Sequence, residues 1–381
     1  MQAQNPLVID MVRKRIPVLP AQEAGIDMIN QIEPNIDGYE VEAMNNYLQS
    51  GAWLTEYDRT TEFECKIAEY VGSKYCVVVP SGTVALAVAL WACGIGYGDE
   101  VLVPNYTMIA TPNAVRMVGA TPVLVDIEAK SLCMDLDCVW SLSEKTRAII
   151  NVSLNGRALD MARFQDFCTA NNLTLIEDAC QSLGSFHNGR HLGTFGDIGV
   201  FSFSSPKIVT TGQGGALVTD DEGLYDKIRK LKDWGRDGSD IHNTLGYNFK
   251  FTDLQAVIGI EQMKKLPWAS GRKRHIYQVY ESQLSDVFEM IHGSNESTPW
   301  FVDIYLDNPT VVQEHLKENG VGSRLVYKPI NEQKIYADGK SYPVSKRFSH
   351  RGLWLPSSVN LTDEQIINIC GLVKQKGLND G

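Results

Sequence analysis

The residues best suited to chemistry in this chain are two carboxylates and a lysine. The stretch LIEDACQSLG ends an apolar run in Glu177 and Asp178, and FSFSSPKIVTTGQGG carries Lys207 between a serine-rich turn and a Gly-Gly turn. Taken singly, each has an ordinary explanation. A strand-end acid can simply cap the next helix, and a loop lysine is usually a solvated charge. The pair is more specific. Asp178 and Lys207 lie 29 positions apart with one strand candidate between them, both on the sheet edge where α/β proteins bind ligands. An acid and a lysine converging on one site fit pyridoxal phosphate. The lysine holds the cofactor as a Schiff base, and the carboxylate keeps the pyridine nitrogen protonated so that the ring accepts electrons. A third feature agrees. VVVPSGTVALAVAL sets Ser81, Gly82 and Thr83 at a helix start, where free N–H groups, two hydroxyls and the positive dipole end form an anion cradle.

The elements that must position these groups are legible between about residues 75 and 220. Strand candidates cover 75–79, 100–103, 122–126, 148–153, 173–177, 199–203 and 216–219. Most are apolar at successive positions, as strands covered on both faces of a largely parallel sheet read. Helical stretches at 81–93 and 161–171 supply crossovers. The spacing predicts an α/β domain of about seven strands, with a hairpin between the last two, which no long helix separates. Residues 222–234 and 254–266 read as helices. From Pro267 onward a basic helix, two short strands and a terminal helix from Thr362 predict a smaller C-terminal α+β domain. The expected division is a segment at 1–35, a large cofactor-binding domain at 36–266 and a small domain at 267–381.

Composition bounds the function. At 381 residues the chain exceeds the convenient size of one core. A 44% hydrophobic and 21% charged share is ordinary for a folded soluble protein. A net charge of −11 argues against a nucleic-acid surface, while a few local donors can still hold a phosphate. The basic segment GRKRH at 271–275 reads as a solvated helix face. The eight cysteines show no CxxC spacing and read as buried thiols of a cytoplasmic protein, with no metal site. The opening MQAQNPLVIDMVRKRIP lacks an apolar core of signal-peptide length, and no run approaches the ~18 apolar residues of a membrane span.

The ordered motifs FECKIAEYVGSKY, VPSGTVALAVAL, GIGYGDEVLVPNYTMIATPNAV, GATPVLVDIE, EDACQSLGS, GTFGDIGVFSFSSPK, TTGQGGALVTD, GYNFKFTDLQAVIGIEQ and LWLPSS resemble the DegT/DnrJ/EryC1/StrS sugar aminotransferases, of fold type I among pyridoxal-phosphate enzymes. The resemblance runs from about Ile16 to the C-terminus and is nearest to the GDP-perosamine synthase group. It implies that Lys207 carries the cofactor and shuttles the proton between cofactor and substrate carbons. It implies further that Asp178 partners the pyridine nitrogen, that Gln181 bonds the ring hydroxyl, and that Gly82, Thr83 and Ser202 hold the phosphate, beside Ser81 of the anion cradle. Asn248 would reach that phosphate from a neighbouring subunit, so a homodimer with shared sites is expected. The substrates implied are L-glutamate, leaving as 2-oxoglutarate, and a nucleotide-linked keto-sugar, with a 4-keto-6-deoxyhexose first and a 3-keto-sugar as the alternative. Relatives that act as dehydratases carry histidine in place of the lysine, and a non-catalytic relative would lack the lysine or the aspartate. Three positions depart from the pattern. Met108 stands where an aromatic ring would stack on the cofactor, with Tyr106 as a possible substitute. Tyr57 replaces a glycine near the sugar pocket, and Asn331 a histidine touching the sugar.

Overall fold

The computed structural model describes residues 28–378 apart from Trp140 and Ser239. Residues 1–27, which hold the opening stretch, Ile16 and most of the expected segment 1–35, lie outside the described residues. Numbered in chain order, the strands begin with β1 (Tyr75–Val79), β2 (Glu100–Pro104), β3 (Thr121–Val125), β4 (Thr146–Val152) and β5 (Thr174–Asp178). A small ribbon of β6 (Phe186–His187) and β7 (Arg190–His191) follows, then β8 (Ile198–Ser202) and β9 (Gly215–Thr219). The ribbon apart, these form one sheet of seven in the order β1-β9-β8-β5-β4-β2-β3. Only β9 runs against the others, pairing antiparallel with both β1 and β8. The expected mainly parallel seven-stranded sheet and its closing hairpin are therefore present, each strand within two residues of its expected ends.

Both sheet faces are covered, which explains the continuous apolar runs. Val77, Val79, Val101, Val103, Ile150 and Leu217 enter one core, while their neighbours Val78, Leu102, Ile149, Ala216 and Val218 enter cores on the opposite side. Before the sheet come α1 (Gly38–Gln49) and α2 (Asp58–Val71). The helix after β1, α3 (Gly82–Ala92), is apolar nearly all round, and its residues 85–90 are all buried. Such a helix has its place only inside a core. Then come α4 (Ala110–Met117), α5 (Met161–Asn171) and α6 (Glu222–Lys232).

A single helix, α7 (Asp253–Leu284), replaces the two helices expected on either side of Pro267. An interior proline removes one backbone bond and costs about 3 kcal/mol. Here both flanks are anchored: Ala256, Ile260, Met263 and Leu266 in one core, Ile276, Tyr277, Tyr280 and Leu284 in another. Burial of several large side chains, each contributing roughly 1.5–3 kcal/mol, outweighs the proline. The position expected for the domain boundary, 266/267, falls within this helix. The second anchor is the core of a four-stranded antiparallel sheet, β10 (Glu289–Met290), β11 (Val302–Tyr305), β12 (Arg324–Leu325) and β13 (Gly352–Leu355), in the order β10-β11-β13-β12. The helices α8 (Pro309–Glu318), α9 (Pro343–Arg351) and α10 (Asp363–Gly377) accompany it, α10 starting at a Thr362–Gln365 capping box.

The segment GRKRH is a solvated face only in part: Gly271 and His275 are exposed, whereas Lys273 is buried. Arg272 bonds Asp363 at 3.1 Å, His275 bonds the same carboxylate at 2.8 Å, and Arg274 donates to Thr298 at 2.8 Å. Lys273 is 3% exposed, its amine donating to the carbonyls of Trp300 and Ser357. Docking of α7 against the small sheet turns Lys273 inward, which charge counting along the sequence does not register. All eight cysteines are free; Cys76, Cys133, Cys168 and Cys370 are buried as expected, whereas Cys65 is exposed.

Candidate active site

Parallel strands bring their C-terminal ends to one edge, and β9, running the other way, begins there. Asp178 is the last residue of β5. It is 5% exposed, and its carboxylate accepts from the Thr111 hydroxyl at 2.8 Å and from the Cys180 N–H at 3.2 Å. Thr111 lies in the first turn of α4, its hydroxyl 3.2 Å from that of Thr107. The neighbouring Glu177 points away. It is buried and accepts from the N–H groups of Gly193, Phe195 and Gly196, holding the loop before β8. Burial pushes its carboxyl up, against the pull of those three donors. Of the two adjacent acids, Glu177 serves the fold and Asp178 faces the reacting edge.

Lys207 sits in the connection from β8 to β9. This connection closes on itself through Lys207 N–H to Ser204 O (2.9 Å), Thr211 N–H to Phe203 O (3.0 Å) and Phe203 N–H to Gly214 O (2.9 Å). The Lys207 amine rests 3.4 Å above the centroid of the Trp300 ring. Burial brings its pKa down from the ordinary lysine value to about 8, with the neighbouring Cys180 and Asp178 side chains acting the other way. A lysine so placed gives up its proton more readily than a solvated one.

The anion cradle forms where the sequence places it. Ser81 caps α3, its hydroxyl accepting from Val84 N–H at 3.2 Å. The N–H groups of Gly82 and Thr83, first in the helix, have no intrahelical acceptor. Gly82 is required by contact rather than by dihedral angle. A Cβ there would meet Cys180 Sγ at 2.9 Å and Ser202 Cβ at 3.0 Å. A Cβ on Gly215 would meet the Ser81 carbonyl carbon at 2.5 Å. Helix start, Ser202 and Cys180 thus form one cluster, and Cys180 in turn feels the charges of Asp178 and Lys207.

Gln181 is buried, its side-chain oxygen accepting from Asn155 N–H at 2.9 Å. Met108 is 43% exposed, and its carbonyl accepts from Thr111 N–H at 3.1 Å, beside Asp178. Tyr106 does not take over its role. It is 1% exposed and packed in the core with Tyr305 and Trp354. Asn331 pairs with buried Asn105 just past β2, by side chain (2.9 Å) and by its own N–H (2.9 Å). Tyr57 and Asn248 stand apart in this chain. Tyr57 is exposed beside a cavity of about 620 Å³ with Trp53, and its N–H donates to Asp253. Asn248 is exposed, bridged to Asp233 just past the end of α6.

Four contributors carry little or no signal in the sequence. Thr111 carries a faint one, since Thr107 and Thr111 are four apart on either side of a helix start. Trp300, Asn155 and Lys273 carry none, because only folding brings them to this edge. The donor set suits pyridoxal phosphate: a buried carboxylate already accepting two hydrogen bonds, a lysine with its pKa lowered by burial, and a helix start beside a serine, too close for any residue larger than glycine.

Residues 34–374 match the sequence profile of the DegT/DnrJ/EryC1/StrS aminotransferase family. The chain is 34% identical over 362 residues to the GDP-perosamine synthase of Vibrio cholerae, covering 91% of this chain and 98% of that one. It superposes on Helicobacter pylori PseC, an aminotransferase in the biosynthesis of pseudoaminic acid, with a TM-score of 0.87 and 26% identity over 92% of this chain and all of that one. A putative sugar aminotransferase of Streptococcus pneumoniae, Spr1654 in its PLP form, gives a TM-score of 0.84 and 28% identity over 92% and 98%.

Proposed function

The chain belongs to the DegT/DnrJ/EryC1/StrS aminotransferase family, and from that premise we propose that Lys207, Asp178 and the start of α3 are the parts with which it places an amino group on a nucleotide-linked keto-sugar. It is a pyridoxal-phosphate-dependent sugar aminotransferase. The observation that carries the residue assignment is the convergence at one strand edge of a buried carboxylate, a lysine with a pKa of about 8 and a glycine-tight helix N-terminus.

Bound there, pyridoxal phosphate supplies an electron sink that acidifies the substrate C–H bond. Lys207 provides the amine that anchors the cofactor, and when released it carries the proton between the cofactor and substrate carbons. Asp178, held by Thr111 and Cys180, would partner the pyridine nitrogen. Gly82 and Thr83 N–H groups, with the Ser81 and Ser202 hydroxyls, bind the phosphate. Gln181 would bond the ring hydroxyl, and Met108 would cover the ring face with a thioether, a softer contact than an aromatic ring.

The amino donor is L-glutamate, and the acceptor a GDP-linked 4-keto-6-deoxyhexose, on the likeness to GDP-perosamine synthases. Asn331 contacts the sugar in its own chain, and Tyr57, which stands apart there, contacts the sugar held by the partner. The unit is a homodimer, in which exposed Asn248 reaches the phosphate held by the partner. Exposed Trp53 (69%), Leu54 and Tyr57 give a second copy an apolar surface to cover. The free cysteines fit a reducing, cytoplasmic setting. Initial rates against glutamate and GDP-, dTDP- and UDP-linked 4-keto-6-deoxysugars test this. Parallel double-reciprocal lines and an amino-sugar product are expected, with the GDP sugar preferred. A required ternary complex, or no aminated product from any of the three, refutes it.

A further inference from the structure

One aromatic ring that the proposed roles leave unused lies in direct contact with the reacting lysine. At 3.4 Å from the Trp300 centroid, the Lys207 amine is well inside the ~6 Å over which a cation and a ring face attract. Trp300 is 5% exposed and is held from three directions. Its indole N–H donates to the carbonyl of Pro206, the residue next to Lys207, at 2.7 Å. Its own carbonyl accepts from Lys273 at 2.7 Å. The next residue, Phe301, is gripped through both backbone groups by the Asn155 side chain, at 2.6 and 2.8 Å. The ring also packs on Phe301 and Trp354, at centroid distances of 3.9 and 6.4 Å. A ring pinned in this way cannot turn aside. It fixes the backbone beside Lys207 with its edge and the amine with its face.

We propose that Trp300 is a positioning residue for Lys207, offering the free ammonium a fixed resting face whenever the lysine is bonded to neither cofactor nor substrate. The inference rests on Lys207 being the reacting lysine. Its physical content is a compromise between two demands. A dry site penalises the ammonium. A close carboxylate partner would correct that too strongly, leaving an amine unable to release its proton. A ring face stabilises the cation without a hydrogen-bonding acceptor and without a formal charge. The carboxylate acting on the amine is Asp178, which forms no ion pair with it among the described residues, and the Cys180 thiol nearby is kept protonated by burial. Holding the ammonium over the ring also keeps it in one place in each turnover until it gives up its proton.

The test uses the full-length protein freed of cofactor, with tryptophans of increasing fluorine content at position 300. Fluorination drains the ring face of negative potential while keeping its shape and N–H. The apparent pKa of Lys207 is read from the pH dependence of its labelling by an amine-specific reagent, followed on the Lys207 peptide by mass spectrometry. The pKa is expected to fall stepwise with each fluorine, by about half a unit to one unit across the series. Labelling at pH 7 would be several-fold faster at its end. Trp300→Leu, where folded, is expected to shift in the same direction. If Trp300→Leu does not fold, the shape-conserving series decides alone. A pKa that stays flat across the series overturns the proposal, even if Trp300→Leu lowers Tm, since a packing role alone moves only stability. Cofactor binding by Lys207→Ala separately tests the lysine's assignment, so failure of that assignment is distinguishable from failure of Trp300's role.

Discussion

Replacing Gly82 by alanine separates the cradle from an ordinary helix start. Gly82 does not adopt the left-handed backbone, so alanine fits its dihedral angles, and helix propensity favours the change by up to about 1 kcal/mol. Against this, the new Cβ would lie 2.9 Å from Cys180 Sγ and 3.0 Å from Ser202 Cβ. Overpacking of that kind costs about 1–3 kcal/mol, which even after the full propensity gain leaves a loss of up to about 2 kcal/mol. Gly38 is the matched control. It is likewise the first residue of a helix, but nothing lies within 4 Å of the place a Cβ would take, so Gly38→Ala is expected to be neutral or slightly stabilising. Urea unfolding of the cofactor-free protein measures both. The crowding also pushes Ser202 away from the helix start. Losing its hydrogen bond to a bound phosphate, worth about 1.5–3 kcal/mol, weakens cofactor affinity roughly 10- to 100-fold, measurable by fluorescence titration. Adding Cys180→Ala removes the nearest clash and is expected to restore part of the stability. The reasoning is refuted if Gly82→Ala matches Gly38→Ala in stability and binds cofactor like the parent.

Other perturbations follow from the same contacts. Lys273 has two carbonyl partners and a pKa brought down by burial to about 7, below its unfolded value. Its unfavourable ammonium is therefore present in the folded state below about pH 7, and the penalty is relieved as pH rises toward the ordinary lysine pKa. Parent stability is thus expected to rise relative to Lys273→Met between pH 7 and 10 in denaturant titrations, and a constant difference would refute this. Asp178→Asn is expected to slow the glutamate half-reaction on the order of 10²-fold, the scale of losing one preorganised electrostatic contact, as measured by stopped-flow absorbance. Asn105→Ala leaves Asn331 without its two bonds to the Asn105 side chain. It is expected to cost about 1–3 kcal/mol and to raise KM for the sugar more than for glutamate, which unfolding and steady-state rates would show.

The parallel sheet was legible because its strands are covered on both faces, so each run such as YCVVV or EVLVP is apolar throughout. Lys207, Asp178, Ser81 and Gly82 were legible because each sits where a strand ends, and topology carries those ends to one edge. The local reading failed where distant packing decides. Pro267 signals a helix end, yet cores on either side of it hold α7 unbroken. Lys273 belongs to a run that reads as solvated, yet its amine lies under two carbonyls. Trp300 reaches Lys207 from 93 positions away, and no spacing in the sequence announces it. Tyr106 would share a side with Met108 if the chain stayed extended. The chain bends over residues 105–107 instead, and the Tyr106 ring enters the core.

The most direct test of the central claim is the absorption spectrum of the cofactor-loaded protein before and after L-glutamate, beside Lys207→Ala. A visible band of lysine-bound cofactor that glutamate converts to the shorter-wavelength amine form, and that is absent in Lys207→Ala, is the predicted result. A band insensitive both to glutamate and to loss of Lys207 would contradict the account.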